Sequence, residues 1–408
     1  MSGNEKNVPK RRFKEFQNAG AWEQRKLDEL STLITKGTTP LDKSGNGNIN
    51  FIKIENIDPL SSKIISTTKI TEEEHNGHLK RSQLRENDIL FSIAGTLGRV
   101  TTVNKEVLPA NTNQALAIIR LKSGCLKYIT TYLKGKAVSE YIKKNPTIGA
   151  QPNLSLEQIE NLEILLPKEE EQHQIGEFFN NFDNLITLYQ RKLEKMKALK
   201  KAYLTEMFPA EGERKPKLRF AGFTDDWEQR KFEDIFKLSQ GLQIPISQRF
   251  LTEGENKYFY ITNEFLKSTC DDKYYIENPP QSVICNQEDI LMTRTGNTGI
   301  VVTDVEGCFH NNFFKIQYNK ELFDKHFIVK LLSTESMKRR ILNSAGSSTI
   351  PDLSHKSFYK LDSFFPKISE QKKISEFILG LDKIITLHHR KLEKLQNIKK
   401  AYLNEMFI

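Results

Sequence analysis

Most apolar residues of this chain fall in short runs, but two stretches of about forty residues follow a longer rhythm. In the first, Ile175, Phe178, Phe182, Leu185, Tyr189, Met196, Leu199 and Tyr203 recur at alternating steps of three and four. In the second, Ile374, Phe377, Leu381, Ile384, His388, Leu395, Ile398 and Tyr402 do the same. This heptad spacing holds for about five heptads, with Lys192 and Lys391 as matching polar breaks. Each stretch predicts a helix of roughly 40 residues, about 60 Å long at 1.5 Å per residue. A narrow apolar stripe on a charged helix needs a partner, and the other copy in the same chain is the simplest one. The alternative is two amphipathic helices, each docked on its own domain. His388, within the seam, reads as a core histidine rather than a switch.

The remainder carries strand-like runs. Residues 48–57 (NINFIKIENI) and 256–266 (NKYFYITNEFL) match as strands near the start of two domains. DILFSI and DILMTR enter tight turns punctuated by Gly95 and Gly98, or by Gly296 and Gly299, and AIIRL and KIQY follow as later strands. Residues 126–145 and 324–344 have helical periodicity. Each domain is therefore α+β and about 140 residues long.

The chain repeats itself. WEQRK at 22–26 returns at 227–231, and Pro9, Lys10, Arg12, Phe13 and Phe16 are echoed by Pro216, Lys217, Arg219, Phe220 and Phe223. Residues 87–100 match 288–301, and 153–167 match 352–366. The segments 167–208 and 366–407 agree at about 24 of 42 positions without a gap. Blocks 27–86 and 232–287 have diverged almost completely. The predicted architecture is α+β: two domains of mixed β-sheet with short helices, separated by two long antiparallel coiled-coil helices, with a pseudo-twofold internal repeat. Its parts are a basic N-terminal arm (1–21), a first domain (22–165), a central helix (166–208), a linker (209–226), a second domain (227–365) and a C-terminal helix (366–408). The antiparallel sense follows because the Pro/Gly-rich linker leads straight into the second domain, so that a second helix of equal length returns alongside the first.

Composition narrows the class. Of 408 residues, 61 are Lys or Arg and 52 are Asp or Glu, a net charge of +9 that favours polyanionic partners. No apolar run approaches the roughly 20 residues of a membrane span, and MSGNEKNVPKRRF lacks the apolar core of a secretory signal. Cys125, Cys270, Cys285 and Cys308 form no CxxC pair, which suits a reducing cytoplasm and excludes a disulfide framework or a zinc finger.

Motifs suggestive of catalysis dissolve on inspection. Asn278-Pro279-Pro280 lacks the aromatic that amino-methyltransferases place next, Gln281 standing there, and no glycine-rich turn for S-adenosylmethionine is found. Pro351-Asp352 with Glu370-Gln371-Lys372 imitates a nuclease spacing, but Glu370 opens the heptad helix and the first copy reads Glu171-Gln172-His173. Cys308 and His310 have no second ligand pair, and no phosphate-binding GxxxxGK[ST] loop exists. The chain reads as non-catalytic, with no metal site and no cofactor of its own.

Features suited to nucleic acid recur in both copies. Thr96 and Arg99 sit on the first glycine turn, and Arg294, Asn297 and Thr298 on the second. Asn111, Asn113 and Gln114 correspond roughly to His310, Asn311 and Asn312. Lys36, Thr38 and Thr39 face Gln240, Gln243, Gln248 and Arg249. Glycine turns admit phosphates to backbone N–H groups, and Arg, Asn and Gln read base edges through paired hydrogen bonds. Each residue alone is an ordinary turn or surface position; recurrence at matching places is what makes the set a candidate. The basic run from Arg191 to Lys201 reads equally well as a solvated helix face.

Two divergent domains opening with PKxRFxxF…WEQRK, each containing DIL…GxxG, an LS…LP stretch and an EQxxI…RKLEK…KKAYLxEMF helix, resemble the DNA specificity subunit of type I restriction–modification enzymes over nearly the whole chain. The resemblance implies two target-recognition domains, each reading one half of an asymmetric interrupted sequence in double-stranded DNA, with the helices as spacer. It also implies methyltransferase subunits, two in number, using S-adenosylmethionine, and restriction subunits using ATP and Mg. It assigns no base-contacting residues. The competing class is a bivalent protein-binding scaffold with a coiled-coil ruler.

Overall fold

The computed structural model describes residues 7–407 apart from 43, 60, 146–151, 211, 267–272 and 347–350. Cys270 and the first six residues of the basic arm lie outside the described residues. Two compact units emerge, one of residues 1–193 with 387–408 and the other of residues 194–386.

In the first unit, WEQRK becomes the strand Glu23–Lys26, which pairs antiparallel with Glu163–Leu166. A four-stranded antiparallel sheet follows in the order Ser31–Lys36, Leu116–Leu121, Ile89–Ser92, Val100–Thr102. A smaller sheet places Ile49–Ile52 between Thr68–Ile70, antiparallel, and Ala110–Thr112, parallel. The strand expected over 48–57 is thus short, because the chain turns into a 3-10 helix at Ile54–Asn56. The helix expected over 126–145 is two, Leu126–Leu133 and Lys136–Lys144, interrupted at Lys134-Gly135.

The second unit repeats this plan. Glu228–Lys231 pairs with Asp362–Phe365, and one sheet runs Phe236–Gln240, Phe313–Tyr318, Ile290–Thr293, Val301–Val302. The other runs Tyr275–Glu277, Lys257–Ile261, Gly307–Phe309, Ile284–Cys285, again with one parallel pair. Its helices Lys325–Leu332 and Glu335–Ser344 are likewise separated, here by the N-cap Thr334, whose hydroxyl accepts from Met337 N–H.

The long helices are Glu169–Glu206 and Ile368–Met406. Within the first unit, Phe178 meets Tyr402, Asp183 pairs with Lys399, and Tyr189 meets His388. Partner numbers fall as residue numbers rise, so the helices run antiparallel there. In the second unit Lys200 pairs with Asp382 and Tyr203 meets Phe377, in the same sense.

The buried face differs from the expected seam. Leu185 and Ile384 are 42% and 41% exposed, whereas Phe179, Ile186, Leu193, Ile378 and Leu392 are buried. Of the expected core positions Ile175, Ile374 and Leu381 are buried, while Phe178, Phe182, Met196, Leu199, Tyr203, Phe377, Leu395, Ile398 and Tyr402 are half-buried. Both readings alternate three and four; the structure takes the opposite phase, 175-179-182-186-189-193. The polar members of this seam are Lys200 and Lys399, each paired with an aspartate, in place of Lys192 and Lys391.

The motifs that repeat most faithfully turn out to be joints. Arg12 makes a two-pronged ion pair with Glu171 (2.8 and 2.5 Å), both buried, and donates to the Ala19 and Gly20 carbonyls. Arg219 repeats this with Glu370 (2.8 and 2.7 Å) and the Asp225 carbonyl. Gln172 accepts from Cys125 N–H and donates to Pro167 O; Gln371 accepts from Asp324 N–H and donates to Pro366 O. Trp22, Tyr128, Tyr132 and Phe179 surround Phe407 in the first core, and Trp227 and Phe327 meet Phe208 in the second. No helix among the described residues is long and apolar enough to cross a membrane.

Candidate nucleic-acid interface

One candidate cluster is assembled identically in both units. After the edge strand Ser31–Lys36, Gly37 N–H donates to Leu116 O (3.1 Å) and Thr38 N–H to Thr112 O (2.9 Å). After Phe236–Gln240, Gly241 N–H donates to Phe313 O (3.2 Å) and Leu242 N–H to Phe309 O (3.1 Å). A side chain at Gly37 would place its Cβ 2.1 Å from Thr112 O, and one at Gly241 2.3 Å from Phe309 O, so only glycine lets the two segments touch. The close approach brings Thr39 beside Gln114, where the hydroxyl donates to the amide oxygen. In the second unit it brings Asn311 Nδ2 to within 3.5 Å of Gln243 Oε1, with Gln240 Nε2 3.4 Å from Asn311 O.

The surroundings of these pairs diverge. In the first unit Thr39, Asn113 and Gln114 line a cavity of about 350 Å3 with Lys53, Glu55 and Lys69. Arg81, exposed, reaches Thr38 Oγ1 (3.3 Å), and His78 Nε2 meets Thr39 O (3.1 Å). Arg81, His78 and Lys53 were missed in the sequence because they lie in the diverged block 27–86 and have no counterpart to flag them. Lys36, Gln243 and Gln248 are exposed. Asn311 Oδ1 is buried and has no partner among the described residues.

Other candidates are committed to the fold. Arg99 donates through Nη1 to Ile54 O and Ile57 O, both at 3.2 Å. Arg294 forms a two-pronged pair with Asp352 (3.0 and 2.7 Å), which also accepts from Thr295. Thr298 is buried and donates to Pro351 O; Thr96 and Asn297 remain exposed on turns closed by Ser92 and Thr293 hydroxyls. Asn111 is fully buried, donating to Leu79 O and accepting from His75 Nδ1. Arg249 donates twice to Ile244 O between the rings of Tyr260 and Tyr274. Asn312 serves through its backbone, its carbonyl accepting from Arg294 N–H (2.7 Å). The physical distinction is plain: Arg99, Arg249 and Arg294 staple turns, while Thr39, Gln114, Gln240 and Gln243 beside the two glycines are exposed.

Among the described residues, the two carboxylates of the nuclease-like spacing are held by arginines. Glu370 is consumed by Arg219 and Asp352 by Arg294. Burial pushes the Cys308 thiol up to about 12 and lowers the His310 pKa, with Arg249 adding to the latter. Among the described residues no cluster of three or more His, Cys, Asp or Glu is positioned to hold a metal.

Two domains of one plan each carry an amide-bearing loop pair, and sequence comparison gives their family. The chain belongs to the type I restriction modification DNA specificity domain family, whose profile matches residues 20–198 and 224–397. It is thereby a specificity subunit, without catalysis of its own, which resides in partner subunits. A Methanocaldococcus jannaschii protein with the provisional description of type I restriction enzyme MjaX specificity subunit is 26% identical, covering 94% of this chain and 92% of its own length. The MjaVIII specificity subunit of the same organism is 22% identical over 94% and 91%. The S subunit of the type I restriction-modification system of M. genitalium shares the fold, with a TM-score of 0.61, 18% identity and coverage of 98% and 99%. A chain from a structure of type I R-M complex assembly and conformational transition gives 0.56, at 16% identity over 95% and 97%.

Proposed function

We propose that each unit reads one half of an asymmetric, interrupted sequence in double-stranded DNA through its glycine-adjacent loop pair. The observation that carries this is the same backbone juxtaposition presenting Thr39 and Gln114 in one unit and Gln243 and Asn311 in the other. Identical scaffolds with different hydrogen-bonding groups give two half-sites of different sequence. Lys36, Thr38, Asn113, Gln248, Arg81 and Lys53 flank these pairs as phosphate or groove contacts. The paired helices set the spacer, since each inserted residue adds about 1.5 Å and roughly 100° of rotation. Weak half-sites then add through effective concentration.

Leu185 and Leu188 on the first long helix, and Ile384 and Leu387 on the second, are 41–65% exposed and apolar. They suit the docking of methyltransferase subunits, one per helix face, which bring S-adenosylmethionine and flip the target adenine out of the duplex. Restriction subunits with ATP and Mg complete the assembly, and its setting is the cytoplasm. The test is genome-wide adenine methylation in cells carrying the chain with residues 22–165 replaced by the matching block of a relative, beside unchanged methyltransferase subunits. One half of the methylated sequence changes, and the other half and the spacer stay. A swap that alters both halves or neither overturns the reading and favours the protein-binding scaffold.

A further inference from the structure

The closing stretch of each long helix shows the same face to a groove in its unit. In the first unit Gln396, Lys399, Lys400 and Leu403 line about 460 Å3, facing Lys134 and the glycine turn at Gly98. In the second, Lys197, Lys200, Lys201 and Leu204 line about 370 Å3, facing Thr334 and Arg339. These helix positions correspond one to one in the repeat.

Both grooves hold more cations than their carboxylates neutralise. Lys134 (3.6 Å) and Lys399 share the single carboxylate of Asp183. Lys330 (2.7 Å) and Lys200 share Asp382. Asp58 adds one further carboxylate to the first groove and Glu335 one to the second. Against these stand Arg99, Lys134, Lys399 and Lys400 in the first, and Lys197, Lys200, Lys201 and Arg339 in the second, where Lys330 also draws on Asp382 from outside the groove lining. Half-buried cations sharing one counter-charge are costly, and a bound anion relieves that cost. Burial, with Lys399 nearby, already lowers the Lys134 pKa to about 8. Lys400 and Lys201 are exposed along the grooves, and among the described residues no ion pair involves either.

We infer that each groove seats backbone phosphates of the DNA beside its unit's half-site, gripping the duplex without reading its sequence. This rests on the DNA-reading function proposed above. It is supported in the first unit by continuity: Lys53 and Glu55 line the cavity beside Thr39 and Gln114, while Ile57 and Asp58, on the other side of the same short turn, line the groove. Two independently diverged units that retain one lysine pair at one groove point to a ligand feature both half-sites share, and the phosphodiester backbone is that feature.

The experiment measures duplex binding against salt for the full-length chain assembled with its methyltransferase subunits, comparing it with Lys400→Gln, Lys201→Gln and the double variant. Each lost phosphate contact makes the slope of log affinity against log salt shallower by about 0.9, so the double variant loses roughly two. Target and non-target duplexes weaken by the same factor, the methylated sequence is unchanged, and Lys400→Arg restores the slope. An unchanged slope in the double variant, or a changed methylated sequence, overturns the inference. Absence of any sequence preference in the unsubstituted assembly would instead overturn the DNA-reading function itself.

Discussion

The two units carry the same joints and different loop pairs. Arg12–Glu171 and Arg219–Glu370 agree to 0.2 Å in each prong, whereas the Thr39–Gln114 contact of one unit is a Gln243–Asn311 contact in the other. Repetition at these arginines therefore marks what holds the domains on their helices, and divergence falls on the loop pairs proposed to read sequence. At these two arginines the partner is a buried carboxylate of the same chain.

The largest test of that contrast is to cut the joints. Arg12→Ala leaves Glu171 buried without a partner and costs about 3–5 kcal/mol in denaturant unfolding. Arg219→Ala costs somewhat less, because its side chain is 13% exposed against 4% for Arg12. Equal losses would show that burial does not distinguish the joints. Ile186→Asp, at a 2% exposed seam position, is expected to cost several kcal/mol in the same assay, while Leu185→Asp at its exposed neighbour costs under about 1 kcal/mol in the isolated chain. A reversed order would restore the other phase of the seam.

A smaller effect separates the loop pairs. Gln114→Ala is expected to lose about 1–3 kcal/mol of discrimination at one base pair of one half-site, and Asn311→Ala a similar amount in the other half only. Competition binding with single base-pair changes checks this, and loss spread across both halves would break the assignment of one reader to each unit. The smallest effect is electrostatic. Lys134 in the folded chain gives up its proton near pH 8, but in the unfolded chain it holds it to its ordinary value of 10.5. The cost of the buried charge is therefore full below pH 8, and stability of the first unit rises as pH climbs from about 8 towards 10.5. Lys134→Met flattens that rise, which thermal melts at a series of pH values measure.

Much of this was legible in the sequence because repeats preserve joints. The two long helices, the paired domains and the strands at DILFSI and DILMTR all follow from periodicity and self-match. The phase of the helix seam did not, because Phe178-Phe179 and Leu185-Ile186 put apolar residues at both candidate positions, and only the partner surface decides between them. The proposed loop pairs were only partly visible in the sequence. Gly37 and Gly241 gave no signal beyond ordinary turns, yet their backbone approach brings the amides together. Arg99, Arg294 and Arg249 looked like readers because charge and loop position are visible in sequence, whereas the carbonyls and Asp352 that occupy them are not.

The placement of Phe407 has a consequence for how the chain is made. Trp22, Tyr128 and Tyr132 are translated early, but the ring that closes their core belongs to the end of the second long helix, beside which Arg11 N–H also bonds Glu405 O. On the ribosome, the domain that emerges first has to wait with an open core, while the later one, closed by Phe208, has all its parts by residue 386. A chain broken off between residues 387 and 402 would then keep its second domain folded and lose its first. Pulsed proteolysis of stalled nascent chains would show the N-terminal domain becoming resistant only after residue 407 has left the exit tunnel.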